Sequence, residues 1–221
     1  MKPIIHRTNE QERHKLNILC YGQSGAGKTR LIKTIQKPIM ISAEAGILSL
    51  KDEAIDYISV NTLKELVDVY EWLVNEQNDY DWVCLDSISE IAEVVLAHEM
   101  ESVKDGRKAY GEMFMRMSNL IRKFRDLDKH VYMTAKTSNK LDSNGNLLWG
   151  PNLPGNKLND EIPYWFDNVF ALRTAENEDG TIRRALQTQS DGSWLAKDRS
   201  GMLDPYEPAD LGEIINKILS A

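Results

Sequence analysis

Eight consecutive residues, Gly22, Gln23, Ser24, Gly25, Ala26, Gly27, Lys28 and Thr29, join backbone freedom, a cation and a hydroxyl in an order suited to holding phosphates. The glycines let the backbone wrap closely so that several N–H groups point inward, and a helix starting behind them adds a field favourable to anions. Lys28 is placed to neutralise β- and γ-phosphates. The Thr29 hydroxyl is placed to ligate Mg²⁺, an ion that accepts few protein oxygens and keeps waters in its octahedral shell. The spacing matches the Walker A pattern, with an apolar strand-like run, Leu16–Tyr21, before it and a helical pattern, Thr29–Ile35, after it. A further segment, Trp82–Asp86, is a short apolar run that ends in a carboxylate. Asp86 is expected to hold that magnesium through water. ATP and Mg²⁺ are therefore the expected ligands.

The elements that must position these groups follow from periodicity. Apolar β-prone runs alternate with helical patterns, which implies an α/β fold with a mostly parallel central sheet and helices on both faces. Pro38–Ser42 reads as a second strand. Thr62 and Glu65 form a capping-box pattern ahead of Leu63, Leu66, Val67, Tyr70, Leu73 and Val74 at helical spacing. Ser87 with Glu90 repeats that signal after Asp86, and Met113, Met117, Leu120, Ile121 and Phe124 mark a later helix. Between these two helices a charged loop is expected. His130–Ala135 reads as another strand, followed by a long loop from Thr137 to Pro163. Asn168–Arg173 and Arg183–Thr188 then suggest a C-terminal antiparallel hairpin turning at Asp179-Gly180. A last helix begins near Asp210. The expected organisation is an N-terminal arm, residues 1–15, and one core, residues 16–221.

Composition narrows the function classes. The chain has 221 residues, 42% of them hydrophobic, enough to bury a real core. No apolar run approaches the roughly 18 residues that a membrane helix needs, and the start lacks a secretory leader, so a cytoplasmic protein is expected. Cys20 and Cys84 lie in apolar runs and read as buried free thiols. The histidines His6, His14, His98 and His130 are scattered, which argues against zinc. The formal net charge is −7, yet Lys104–Arg125 carries seven basic residues against two acidic ones. The overall charge argues against a protein coated in nucleic acid, but the sum hides this local basic patch.

On the residues Gly22–Thr29, Ser42-Ala43-Glu44 and Asp86-Ser87, the sequence resembles the RecA-like P-loop ATPase family, over about Leu16 to Gly201. The resemblance implies that Glu44, just after the second strand, orients or activates the water that attacks the γ-phosphate. It also implies a polar sensor at the end of the next strand, where this chain has Lys136 rather than glutamine. Lys197-Asp198-Arg199 looks like the Lys-x-Arg motif of relatives that form homo-oligomers, whose two cations reach a neighbour's γ-phosphate. The family's DNA-contacting loops correspond to about Glu101–Glu112 and Thr137–Asp160. The first offers Lys104, Arg107, Lys108 and Tyr110; the second offers Lys140, Trp149 and Lys157.

The implied protein resembles the small, core-only phage recombinases: an oligomeric ATPase acting on single-stranded DNA in recombination or annealing. Two other readings fit the phosphate loop. One is a nucleotide switch or helicase-loading adaptor without direct DNA contact. The other is a small-molecule kinase, which would leave Glu44, Lys197 and Arg199 without a role.

Overall fold

The computed structural model describes residues 15–44, 47–141 and 144–220. The expected N-terminal arm, apart from its last residue, and the histidines His6 and His14 lie outside the described residues.

Six parallel strands build the centre. β1 (Asn17–Tyr21) runs into the glycine-rich loop and a 3₁₀ helix, Thr29–Thr34. The span between Gly27 and β2 (Pro38–Ser42) leaves room for about two turns, and the chain winds them tightly rather than as the expected α-helix. β3 (Asp56–Ser59) and α1 (Leu63–Asn75) follow, the helix starting from the Thr62/Glu65 capping box that the sequence shows. β4 (Trp82–Asp86) leads to α2 (Ile88–Ser102), α3 (Gly106–Arg125) and β5 (His130–Leu141). After β6 (Leu147–Asn152) and α4 (Asn156–Glu161) come β7 (Asn168–Glu176) and β8 (Ile182–Gln187). Short β9 (Lys197–Asp198) and β10 (Tyr206–Pro208) precede α5 (Leu211–Leu219).

The main sheet has the order β10-β8-β7-β1-β5-β4-β2-β3. Its centre, from β7 to β3, is parallel, and β8 and β10 join antiparallel, so the expected C-terminal hairpin is present. Side chains alternate across the sheet. Leu19, Tyr21, Val83, Leu85, Val131 and Met133 pack under α1, α2 and α3, whereas Ile18, Cys20, Cys84, Tyr132 and Phe170 face the 3₁₀ helix and α5. Helices thus cover both faces. Cys20 and Cys84 are free and buried, and burial pushes the Cys20 thiol up to about 12. Among the described residues no helix is long and apolar enough to cross a membrane.

Two expected loops are regular structure instead. In the first, only residues 103–105 separate α2 from α3, because the Asp105 carboxylate accepts from the Arg107 N–H at 2.9 Å and caps the new helix. Gly106 and Gly111 had interrupted the apolar period there. In the second, β5 runs on past Ala135 and pairs antiparallel with β6, from Lys136↔Asn152 to Leu141↔Leu147. This ribbon stands clear of the core, so its polar side chains carry no apolar alternation to betray a strand. The exposed edge strand β3 escaped notice for the same reason.

The order also sets the site: β5 separates β1 from β4, so the glycine-rich loop and Asp86 face each other across the end of an intervening strand. From below, the buried Tyr132 hydroxyl donates to the Lys28 carbonyl at 2.9 Å. Tyr132→Phe removes that donor and leaves the carbonyl with only the Leu31 N–H, at 3.2 Å. It should lower stability by about 1–2 kcal/mol, which for a chain of this size is a melting point lower by roughly 2–8 °C in calorimetry. An unchanged melting point would show that the contact does not brace the loop.

Candidate functional site

Strand register brings the sequence motifs together. Ser42 on β2 lies beside Asp86 on β4, and the Ala43 N–H donates to the Asp86 carbonyl at 3.2 Å. Glu44 thereby reaches Ser87, whose hydroxyl donates to the Glu44 carboxylate at 2.6 Å. Thr29 donates to Asp86 Oδ2 at 2.8 Å, and Thr134 of β5 donates to Oδ1. The Asp86–Ser87 peptide is cis. Lys28 Nζ lies over its own loop, donating to the carbonyls of Gly22 at 2.9 Å and Gln23 at 3.1 Å. Gly22, Gln23, Ser24, Gly25, Gly27, Lys28 and Thr29 all border a cavity of about 860 Å³, which Glu44, Asp86 and Lys136 also line; Ala26 is buried behind them.

Asp86 is the electrostatic centre. It is 5% exposed, and burial raises its carboxyl above the ordinary range against the pull of the Thr134 and Thr29 hydroxyls; Glu44 raises it further and Lys28 opposes. A buried carboxylate with only neutral donors in contact is under-compensated. A hydroxyl and a carboxylate 2.8 Å apart beside this cavity are the oxygen donors that suit Mg²⁺. The residues present therefore fit the metal. Among the described residues no cluster of three His, Cys, Asp or Glu side chains is placed to hold a metal without a nucleotide.

Lys136 lines this cavity and is ion-paired with Glu90 of α2, a hydrogen bond that raises its pKa. Its backbone N–H is fixed by the Ser89 hydroxyl at 2.9 Å. Lys197 and Arg199 lie elsewhere. Lys197 donates to the Pro163 carbonyl at 2.7 Å, and burial, then Arg199, lowers its pKa while Asp167 opposes. Arg199 pairs with Asp167 at 3.1 Å. Neither borders the cavity of its own glycine-rich loop.

The expected DNA-contacting residues separate into two groups. Lys104, Arg107, Lys108 and Tyr110 are exposed around the start of α3, and among the described residues the three cations make no ion pair. Lys140 pairs with Asp160, and Lys157 sits 4.2 Å over the Phe114 ring with Glu161 at 4.0 Å. Trp149 stacks on Trp194 at 5.0 Å, Trp194 stacks on Tyr21 at 6.1 Å, and the Arg173 guanidinium lies 4.1 Å over Trp194. Trp149 borders the phosphate cavity and also a second cavity of about 890 Å³, shared with Lys140 and Lys197. The ring is thus a wall between two cavities, with one face already taken.

Sequence reasoning missed Thr134, which looked like one more strand residue, and Ser87 as a partner for Glu44 rather than only a cap. A hydroxyl one residue before the end of the expected strand His130–Ala135 was the available signal for Thr134.

Residues 14–200 match a protein family described as an AAA domain. A KaiC-like protein from the hyperthermophilic archaeon Pyrococcus horikoshii is similar in structure, with 14% identity, 81% of this chain and 83% of that chain covered, and a TM-score of 0.43. No curated protein matches the chain in sequence.

Asp86→Asn tests the electrostatics. Because the folded pKa is raised, the ionised carboxylate opposes folding at neutral pH; that cost disappears as pH falls through the raised value. The substitution removes the charge while hydroxyls that can rotate still find partners. The ligand-free variant should melt higher, by roughly 2–4 °C for each kcal/mol gained, and should lose magnesium-dependent nucleotide binding. A lower melting point would mean that Asp86 is stabilising as it stands.

Proposed function

The chain belongs to the AAA domain family, and on that premise we propose that it binds ATP with Mg²⁺, hydrolyses it, and works as a homo-oligomer on single-stranded DNA in recombination or annealing. The observation that carries the hydrolytic part is the meeting of Lys28, Thr29, Glu44 and Asp86 around one cavity, from three separate chain segments.

In this reading the loop amides and Lys28 hold the phosphates, and Thr29 and Asp86 hold the metal. Magnesium, when bound, supplies charge neutralisation on the transferring phosphate. Glu44 orients the attacking water, and the Ser87 hydroxyl fixes the carboxylate that does so. Lys136, tied to Glu90, stands on β5 beside the phosphates as the polar sensor. Lys197 and Arg199 serve a neighbouring subunit, a role supported by their absence from the lining of the phosphate cavity of their own chain.

DNA contact rests on Lys104, Arg107 and Lys108, exposed cations without ion-pair partners among the described residues, on a segment far more basic than the chain as a whole. Tyr110, Lys140, Trp149 and Lys157 complete the proposed surface. The internal pairing of Lys140 and Lys157 favours a second reading, a nucleotide-dependent adaptor that answers to a protein partner. Its DNA contacts would then be absent.

ATP turnover measured with and without single-stranded DNA separates these readings. Stimulated turnover is expected for the wild type, and Glu44→Gln should keep ATP affinity while losing turnover by roughly 10²-fold or more, the scale of a general-base contribution. Turnover indifferent to DNA, with no DNA binding at low salt, contradicts the recombination reading in favour of the adaptor. Normal turnover per bound ATP in Glu44→Gln contradicts the role of Glu44.

A further inference from the structure

All the groups assigned so far surround the phosphates from the β4–β5 side of the glycine-rich loop. On the other side β1 is flanked by the β7–β8 hairpin, which closes tightly on the loop. A Cβ on Gly22 would stand 2.9 Å from the Leu172 carbonyl oxygen, so only glycine fits there. At the other end of the loop, Gly27 has φ +106°, and a Cβ on it would lie 3.3 Å from Arg184 Nε. Arg184 is an exposed residue of β8 whose Nε donates to the Ala26 carbonyl at 2.9 Å.

That bond uses one of the five N–H groups of the guanidinium. Among the described residues, nothing else hydrogen-bonds or ion-pairs with it, although Glu176 and Glu178 belong to the same hairpin. A cation is therefore pinned by one edge to the phosphate loop itself, with its planar face and its remaining donors open. Direction decides what it meets. Were the terminal phosphate placed at Asp86 and Glu44, a phosphate chain laid along the loop would lead away from β4 to the β7–β8 side of β1, where Arg184 stands just outside the residues that line the cavity.

We propose that Arg184 contacts the nucleoside half of a bound nucleoside di- or triphosphate, by hydrogen bonds to ribose or base, or by stacking of the guanidinium on the base. The inference rests on the nucleotide-binding reading above and adds a residue that no phosphate-loop motif contains. It gives the β7–β8 hairpin a task besides closing the sheet.

Calorimetric titration of wild type and Arg184→Ala with ATP, ADP and inorganic tripolyphosphate, all with magnesium, tests it. ATP and ADP should each bind on the order of tenfold more weakly to the variant, the scale of one lost charge-assisted contact, while tripolyphosphate binding stays within about twofold. The retained tripolyphosphate binding also reports an intact loop. Equal loss for all three ligands in a folded variant means that Arg184 only braces the Ala26 carbonyl, and overturns the proposal. Unchanged affinities overturn it as well. If Arg184→Ala melts early, Arg184→Gln replaces it with the same outcomes. Wild type that binds none of the three overturns the nucleotide reading and this inference together.

Discussion

Asp86 is held inside the end of a sheet by two threonine hydroxyls, one from the glycine-rich loop and one from β5, with no cation in contact. Each partner comes from a different chain segment, so this one carboxylate ties the glycine-rich loop, β4 and β5 into a single geometry. It is also unfavourable as it stands: burial disfavours the charge, and neutral donors recover only part of the lost hydration. Much of the surrounding architecture follows from holding that group in place. The order β1-β5-β4 sets the glycine-rich loop and Asp86 on either side of β5. Tyr132 supports the loop from beneath, and the β7–β8 hairpin closes it from the side.

The fold was legible wherever burial imposed a period. β2 and β4 carry the same bounds in sequence and structure, because each is apolar throughout and bounded by a proline or a carboxylate. α1 announced itself through Thr62 and Glu65, whose reciprocal hydrogen bonds form as expected. What escaped was structure that the core does not pattern. The β5–β6 ribbon consists of polar residues hydrogen-bonded to one another, and β3 and β10 are short strands near the sheet edges. The opening of α3 holds two glycines, and only the Asp105 cap marks it.

The site was legible to a different degree for each residue. Gly22–Thr29 and Asp86 are local signals, each readable within one strand and the turn after it. Glu44 needed register: only the pairing of Ser42 with Asp86 shows that it meets Ser87. Trp149 reads from sequence as an aromatic face for DNA bases, and the fold stacks it in a column from Tyr21 through Trp194 that also borders the phosphate cavity. No periodicity foretells a contact between residues 128 positions apart, such as the Tyr21 hydroxyl on the Trp149 carbonyl. Arg184 was unreadable for the same reason.

The account as a whole turns on one assertion, that the strained carboxylate and the glycine-rich loop are completed by a magnesium-bound nucleotide. Calorimetric binding of ATP to the wild-type protein, run once with magnesium and once with a chelator, tests this most directly. The account predicts binding at least about tenfold weaker without the metal, since Asp86 and Thr29 then lose the ion that joins them to the phosphates and leave uncompensated charge. Equal affinity in the two titrations would contradict it, because the nucleotide would then be held without the interaction around which the site is built.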